Sequence, residues 1–360
     1  MQYALQLAAG ASGQTDINPV VGCVVVKSGR IVGLGAHLRR GEGHAEVHAL
    51  QMAGDEAEGA TVYVTLEPCS HFGRTPPCSN RLVAAKVARV VVACQDPNPQ
   101  VAGRGLAQLR AAGIEVKAGV LEQQAQALNE AFNKYIVTGY PFVTLKTAMT
   151  LDGKIASYTG DSRYVSGAAA REKVHAMRHR HSAIMIGVDT AIADDPELTT
   201  RLPVPGLNPA RIIADSRLRL PLDARLLKDK AAPVIVLTTA QASEHARRQL
   251  EQQGARVLVC GAGPHVDLDA AMRQLGQLEI SSILLEGGGK LSGAMIELGL
   301  VDKLVLFIAP KLIGGENAPG AFVFQGFERM ADAVPLERMQ VELLGGDICV
   351  TGYLPKRKEQ

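Results

Sequence analysis

At 360 residues the chain exceeds the roughly 100–200 residues of a typical domain, so two domains are expected. Hydrophobic residues make up 47% and charged residues 21%, and the formal charge is only +2: the balance of an ordinary soluble protein, without the signature of a nucleic-acid or membrane binder. Aromatics are 4% with no Trp, which removes the stacking platforms of a single-strand binder. The longest apolar runs, such as 20–26 and 304–309, fall far short of the about 18–20 residues of a spanning helix.

The N-terminal MQYALQLAAGASGQ has no basic segment leading into an apolar core and cleavage site, so a cytoplasmic location is expected. Six cysteines are too few for a disulfide framework in a chain of this length, and their positions must decide which do chemistry.

Through the first 140 residues, short β-branched runs alternate with amphipathic stretches: GCVVVKSG and IVGLGA, then HAEVHALQMAG, ATVYVTLEP, RLVAAK and ARVVVACQD. Switching between a period of two and one of about 3.6 predicts a sheet covered by helices on both faces, a three-layer α/β/α domain. A helix over 125–138 and the turn Gly139-Tyr140-Pro141 close it, which predicts domains at 1–140 and 141–360. The second series holds PFVTLKTAMTLDGKIA, AIMIG, ARIIAD, APVIVLT, ARVLVC, SSILLEGGG and DKLVLFIAP, with SEHARRQLEQQG and KLSGAMIELG as helical patterns between them. It predicts a second α/β unit. Gly345-Gly346-Asp347 between two alternating runs is a hairpin signal, so this sheet is expected to be mixed. Residues 202–211 read as a surface loop and 355–360 as a frayed tail.

His44-Ala45-Glu46 is followed, beyond one helix and one strand, by Pro68-Cys69 and then Cys78. One imidazole and two thiolates suit a borderline-soft zinc ion and leave its fourth tetrahedral position open, as hydrolysis requires. Glu46, two residues past His44 at a helix start, can reach that position without ligating the metal, taking a proton from water and passing it to departing ammonia. A closed structural site would show four protein ligands with short Cys spacings, and a zinc scaffold has no use for the glutamate. The pattern is that of a zinc deaminase. His48, one turn beyond His44, reads as packing, and Cys23, Cys94, Cys260 and Cys349 as small apolar filler.

The two cysteines are spaced PCSHFGRTPPC, with eight residues between them, rather than PCxxC. With NPVVG (18–22) before it and QDPNP (95–99) after it, the segment resembles the deaminase part of the bifunctional deaminase-reductases of riboflavin biosynthesis, and the resemblance covers essentially the whole chain. It implies a cytidine-deaminase-like fold that removes the ring amino group of a diamino-ribosylaminopyrimidinone phosphate. It places Asn18, His71, Arg74, Asp96 and Asn98 around the ring and phosphate. Asn18 can pair with a heterocycle edge, and His71 and Arg74 supply positive charge, although Asn18-Pro19 and Asp96-Pro97-Asn98-Pro99 are turn signals in their own right. The sequence starts a few residues short of the family's usual start, which implies an incomplete first helix or a start upstream.

In the second half, LLEGGGKLSGA (284–294) runs from an apolar strand through glycines into a helix, a junction where backbone N–H groups and the helix dipole favour an anion. It is neither GxGxxG nor GxxxxGK[ST], so a plain strand-to-helix turn explains it equally well. LKTAMTLDGKIA, GDSRYVS, VDTAIADDPELTTR and IIADSRLR, in that order, resemble the reductase part of the same family. The resemblance implies a dihydrofolate-reductase-like fold and reduction of the ribosyl group to a ribityl chain by NADPH. It places Ala148, Tyr164, Thr190, Asp194, Ser216, Gly288, Gly289, Lys290, Leu291, Ser292, Gly293 and Ala294 around NADPH. Around the substrate it places Lys146, Ser162, Arg178, Leu198, Arg201 and Glu286. Arg178 and Arg201 suit a phosphate because guanidinium pairs bidentately with oxyanions, while either is also at home on a surface. The family implies a homo-oligomer, dimer or tetramer, acting on a small phosphorylated pyrimidine. Two rival readings stay open: a deaminase whose second half is a regulatory nucleotide-binding module, and a nucleic-acid editing deaminase, which charge and composition disfavour.

Overall fold

In the computed structural model, which describes residues 1–70, 76–99 and 101–355, the chain forms two units, Met1–Gly139 and Tyr140–Gln360. The first runs α1 (Gln2–Gly10), β1 (Gly22–Lys27), β2 (Arg30–Ala36), α2 (Ala45–Ala53), β3 (Thr61–Leu66), α3 (Cys78–Ala84), β4 (Arg89–Cys94), α4 (Arg104–Ala111), β5 (Glu115–Lys117), α5 (Glu122–Leu128) and α6 (Glu130–Thr138). Its sheet has the order β2-β1-β3-β4-β5, antiparallel through β1 and parallel from β3 to β5. Gly22 lies under α1, where a Cβ would strike the Ala4 carbonyl, whereas Gly33 and Gly35 lie under α2, against the carbonyls of Ala49 and Ala45. Cys23 pairs with Gly35 and Val25 with Gly33. Because successive strand residues face opposite ways, Gly22 is on the other face, and α1 and α2 cover the two sides of one sheet. The expected three layers are present.

The helix expected over 125–138 is two helices, α5 and α6, broken at Asn129. That side chain is buried and bonds the backbone of Val20 twice, accepting from its N–H at 2.8 Å and donating to its carbonyl at 2.9 Å. Its own backbone sits outside the helical region, at φ −112° and ψ 24°. A satisfied buried amide outweighs the local helical pattern.

The second unit runs β6 (Phe142–Thr150), α7 (Ala168–Arg180), β7 (Ala183–Gly187), α8 (Val188–Asp194), β8 (Ala210–Ala214), α9 (Arg225–Lys228), β9 (Val234–Thr238), α10 (Glu244–Gln252), β10 (Arg256–Val259), α11 (Leu268–Gln277), β11 (Ser282–Leu285), α12 (Gly289–Glu297), β12 (Lys303–Ala309), β13 (Glu337–Leu344) and β14 (Asp347–Tyr353). Its nine strands are ordered β10-β9-β8-β7-β11-β6-β12-β14-β13. Strands β10 to β12 pair in parallel, and the hairpin β13–β14 adds the antiparallel edge, so the sheet is mixed. β7, β9 and β11 are buried along nearly their whole length, which is why they read as unbroken apolar runs rather than as alternation. The loop expected over 202–211 is observed as far as Pro209, where Ala210 opens β8. No helix among the described residues is long and apolar enough to cross a membrane.

Candidate active sites

Three elements converge in the first unit. His44 is the N-cap of α2, Cys69 follows the end of β3, and Cys78 is itself the first residue of α3. Their ligand atoms all lie within 4.8 Å of one another, with His44 Nδ1 3.6 Å from Cys69 Sγ and 3.4 Å from Cys78 Sγ. The backbone N–H of Cys78 donates to Cys69 Sγ at 3.3 Å, a bond that favours the thiolate. Cys69 is pulled down to about 4, first by the hydrogen bond from the Cys78 thiol and then by His44, while Cys78 is pushed up by the same bond and by burial. Two thiolates this close are both charged only with a cation between them, so the donor set fits a zinc ion in both number and chemistry. His48 stands outside this group.

Glu46 is the second residue of α2 and is 3% exposed, with its carboxyl against the Cys78 thiol. Burial pushes that carboxyl up to about 7. His37, just past β2, was not anticipated from the sequence. It is buried, and its ring meets that of His44 edge-on at 5.4 Å between centroids. Its Nδ1 lies 3.2 Å from the Gly43 carbonyl, which can only accept, so Nδ1 carries the proton and Nε2 accepts from the Asn18 amide at 3.2 Å. His37 thereby touches both Asn18, through a hydrogen bond, and His44, through its ring. Asp96 is buried and its Oδ1 accepts from the Asn98 N–H at 2.8 Å, so the pair forms an Asx turn. His71 and Arg74 lie outside the described residues.

Glu67 is a second residue the sequence reading passed over. It is 3% exposed and its carboxylate accepts four backbone N–H groups: Asp96 at 3.3 Å, Gly103 at 2.9 Å, Gly105 at 2.9 Å and Leu106 at 3.2 Å. Gly105 and Leu106 are the second and third residues of α4, so Glu67 caps that helix from a distant strand. It also ties the chain entering Cys69 to the loop bearing Asp96 and Asn98. The signal was an acid at the end of an apolar strand, in TLEPC. Glu67→Gln turns an amide toward N–H donors and should destabilise the first unit by about 2–3 kcal/mol, read as the shift in its urea midpoint. A shift under about 0.5 kcal/mol would show that the carboxylate is not holding the loop.

In the second unit Leu145 pairs with Leu285, so the next residues, Lys146 and Glu286, emerge side by side from β6 and β11. Arg178, in the last turn of α7, reaches Glu286 bidentately, Nε to Oε1 at 2.8 Å and Nη2 to Oε2 at 2.9 Å, and Lys146 Nζ stands 3.9 Å from Oε2. All three side chains are at most 16% exposed. Burial opposes ionisation of Glu286, but Arg178 and Lys146 outweigh it and hold the carboxyl at about 2. Burial lowers the Lys146 ammonium. The fork of Arg178 is thus engaged, its Nη1 also donating to the Thr199 carbonyl at 3.0 Å. The Arg201 guanidinium is 62% exposed and faces Glu197 at 3.4 Å, so it can turn toward an anion.

The glycine run opens α12 with Gly288 as N-cap, a residue with no side chain to cap the first turn. Thr190, on α8, brings its Oγ1 to 3.4 Å from where a Gly288 Cβ would stand, so two expected cofactor residues meet here. Uncapped N–H donors beside a hydroxyl fit a dinucleotide phosphate. Gly289 and Gly293 have a different reason to be glycine: a Cβ at either would run into the backbone of Gly320 or Val323, which closes over α12 with the Val323 N–H donating to the Gly289 carbonyl at 2.9 Å.

The family profile described as the cytidine and deoxycytidylate deaminase zinc-binding region matches residues 1–94, and that of the RibD C-terminal domain matches residues 141–350. The riboflavin biosynthesis protein RibD of Bacillus amyloliquefaciens is 44% identical over 99% of this chain and 95% of its own length. That of Escherichia coli strain K12 is 43% identical over 97% of both. The chain belongs to the RibD family. Among solved structures, Acinetobacter baumannii RibD superposes with a TM-score of 0.88 at 40% identity, covering 99% of this chain and 98% of that one. A Thermotoga maritima protein described as a diaminohydroxyphosphoribosylaminopyrimidine deaminase and 5-amino-6-(5-phosphoribosylamino)uracil reductase gives 0.86 at 35% identity, covering 99% and 97%. RibD membership accounts for both halves: a cytidine-deaminase-like unit followed by a reductase-type α/β unit with a mixed sheet.

Of the other residues that the RibD resemblance singled out, Ala148 lies on β6, paired with Phe307. Ser216, just past β8, accepts the Val266 N–H on its Oγ at 3.2 Å. Leu198 is buried at φ +56°, a left-handed conformation costly for leucine. Ser292 and Leu291 pack into the α12 turn, Lys290 is exposed and Ala294 joins the core. Tyr164 is exposed beneath the Arg171 guanidinium, 4.6 Å away, Ser162 lies in the same loop, and Asp194 is exposed at the end of α8.

Proposed function

We propose that this chain catalyses two successive steps of riboflavin biosynthesis, with zinc and NADPH as its cofactors. Residues 1–140 hydrolytically deaminate the diamino-ribosylaminopyrimidinone phosphate to the aminouracil, and residues 141–360 reduce the ribosyl group of that product to a ribityl chain. The observation that carries the reading is the convergence of His44, Cys69 and Cys78 within 4.8 Å beside the buried Glu46 carboxyl, in a chain matching RibD relatives over nearly its full length.

His44, Cys69 and Cys78 would hold the zinc, which when bound would supply the Lewis acidity that activates water near neutral pH. Glu46 takes the proton from water and delivers it to the leaving ammonia, which its burial beside the ligands allows. Asn18, fixed by His37, reads the heterocycle edge, and Asp96 and Asn98, with His71 and Arg74, complete the pocket. In the second unit the chemistry NADPH would supply is the hydride. Thr190 and the α12 turn bind its phosphates, with Ala148, Tyr164, Asp194 and Ser216 along the cofactor. Lys146, Arg178 and Glu286 form the polar floor against which Ser162 and Leu198 hold the substrate, and Arg201 pairs with its phosphate.

The test is to mix zinc-loaded protein with the pyrimidinone phosphate and NADPH, assaying ammonia while following the reduced-nicotinamide absorbance. Both signals are expected. Ammonia alone would reduce the second unit to a nucleotide-binding module, and neither signal would overturn the substrate assignment. We further propose a cytoplasmic homo-oligomer. Edge strand β13 exposes Met339, Val341 and Leu343 on one face, which fits association through this strand, and sedimentation at micromolar concentration should show no monomer.

A further inference from the structure

Residues 198–208 run along α7 and are bonded to its side chains. Leu198 reverses the chain in a left-handed conformation, and the next three residues each have a backbone group tied down. The Thr199 carbonyl accepts from Arg178 Nη1 at 3.0 Å, the Thr200 N–H donates to Asn208 Oδ1 at 2.8 Å, and the Arg201 N–H donates to His175 Nδ1 at 3.2 Å. One turn farther along α7, His179 Nδ1 accepts the Leu207 N–H at 2.9 Å. Two histidines at i and i+4 on one helix face therefore hold the same loop through the same ring atom.

We infer that His175 is a positioning residue of the reductase: by accepting the Arg201 N–H, it sets where the Arg201 guanidinium meets the substrate phosphate. The inference rests on the reading of Arg201 given above. His175 is on the same turn as Arg178, so one stretch of α7 sets both the Arg178–Glu286 pair and the loop that carries Arg201. To accept through Nδ1 the imidazole must be neutral, with its proton on Nε2. Burial, then the neighbouring Arg178 and Arg201, keep it so by lowering His175 to about 4. At its tip the Arg201 guanidinium pairs with Glu197, which also pairs with Arg225. Arg178 and Asn208 hold the two preceding residues, and His175 holds the N–H of Arg201 itself, from which the long side chain starts; a displacement of about 1 Å in an anchoring group is enough to cost tenfold or more.

The test uses the full zinc-loaded chain with NADPH and follows the reductase on the aminouracil in two forms, with and without its phosphate. His175→Ala should raise KM for the phosphorylated form about tenfold and change kcat less than threefold. It should leave kcat/KM for the dephosphorylated form, and the deaminase rate, at wild-type values. His175→Asn, whose Oδ1 can stand where Nδ1 stood, should bring KM back to within about threefold. Arg201→Ala should reproduce the phosphate-specific KM effect. Equal losses on both substrate forms, or a fall in kcat alone, would overturn the positioning role in favour of a structural or chemical one. So would a wild-type KM in His175→Ala alongside a raised KM in Arg201→Ala. An unchanged KM in Arg201→Ala would remove the phosphate-anchor reading itself, and this inference with it.

Discussion

Glu46→Gln is expected to lower ammonia release by about 10²–10⁴-fold while zinc content and reduction of the pre-formed aminouracil by NADPH stay at wild-type levels. Glutamine matches the shape of the buried glutamate, so packing at the start of α2 is preserved and only the ability to carry a proton is lost. His44, Cys69 and Cys78 should keep their geometry: His44 is fixed as the N-cap of α2, Cys69 accepts the Cys78 N–H, Cys78 opens α3, and a glutamine at position 46 can still meet the Cys78 thiol that the glutamate meets. Zinc analysis alongside the ammonia assay separates a lost shuttle from a lost metal. Full deamination by the zinc-loaded variant would sink the assignment.

The second large effect lies in the other unit. Glu286→Gln leaves Arg178 and Lys146 as buried cations without a counter-charge, and breaking such a pair typically costs about 3–5 kcal/mol. NADPH oxidation should fall on the order of 10²-fold, because the floor of the pocket no longer holds its geometry, while ammonia release continues. The pH dependence has a defined sign. Glu286 is held at about 2, below its ordinary value of 4.5, so its stabilisation is complete above about pH 4.5 and is lost as pH falls toward 2. Urea midpoints of the second unit should therefore decline from about pH 5 to about pH 3 in the wild type and decline less in Glu286→Gln. Parallel decline in both would show that other carboxylates carry the acid sensitivity.

Much of the fold was legible because its signals are local. Parallel strands buried on both faces leave unbroken apolar runs, as in AIMIG and VIVLT, and the hairpin at 345–347 announces itself by its turn residues. The metal ligands were legible for a related reason: zinc restricts the donor types so strongly that His44, Cys69 and Cys78 stand out before their spacing is explained. Asn129 shows where local reading stops, since its helical surroundings say nothing of Val20 far away in the chain.

The sequence by itself determined two α/β units, a His and Cys set able to hold zinc, Glu46 at a helix start and the glycine turn of α12, because each follows from residue type and short-range periodicity. Only the tertiary structure decided that Glu67 caps α4, that His37 joins Asn18 to His44, that Glu286 is gripped by Arg178 and Lys146, and that His175 holds Arg201. Apart from the His37–His44 ring contact, these bonds join residues at least 19 positions apart. Their hydrogen bonds stabilise only after the chain has brought donor and acceptor together and excluded water, so no local pattern marks them.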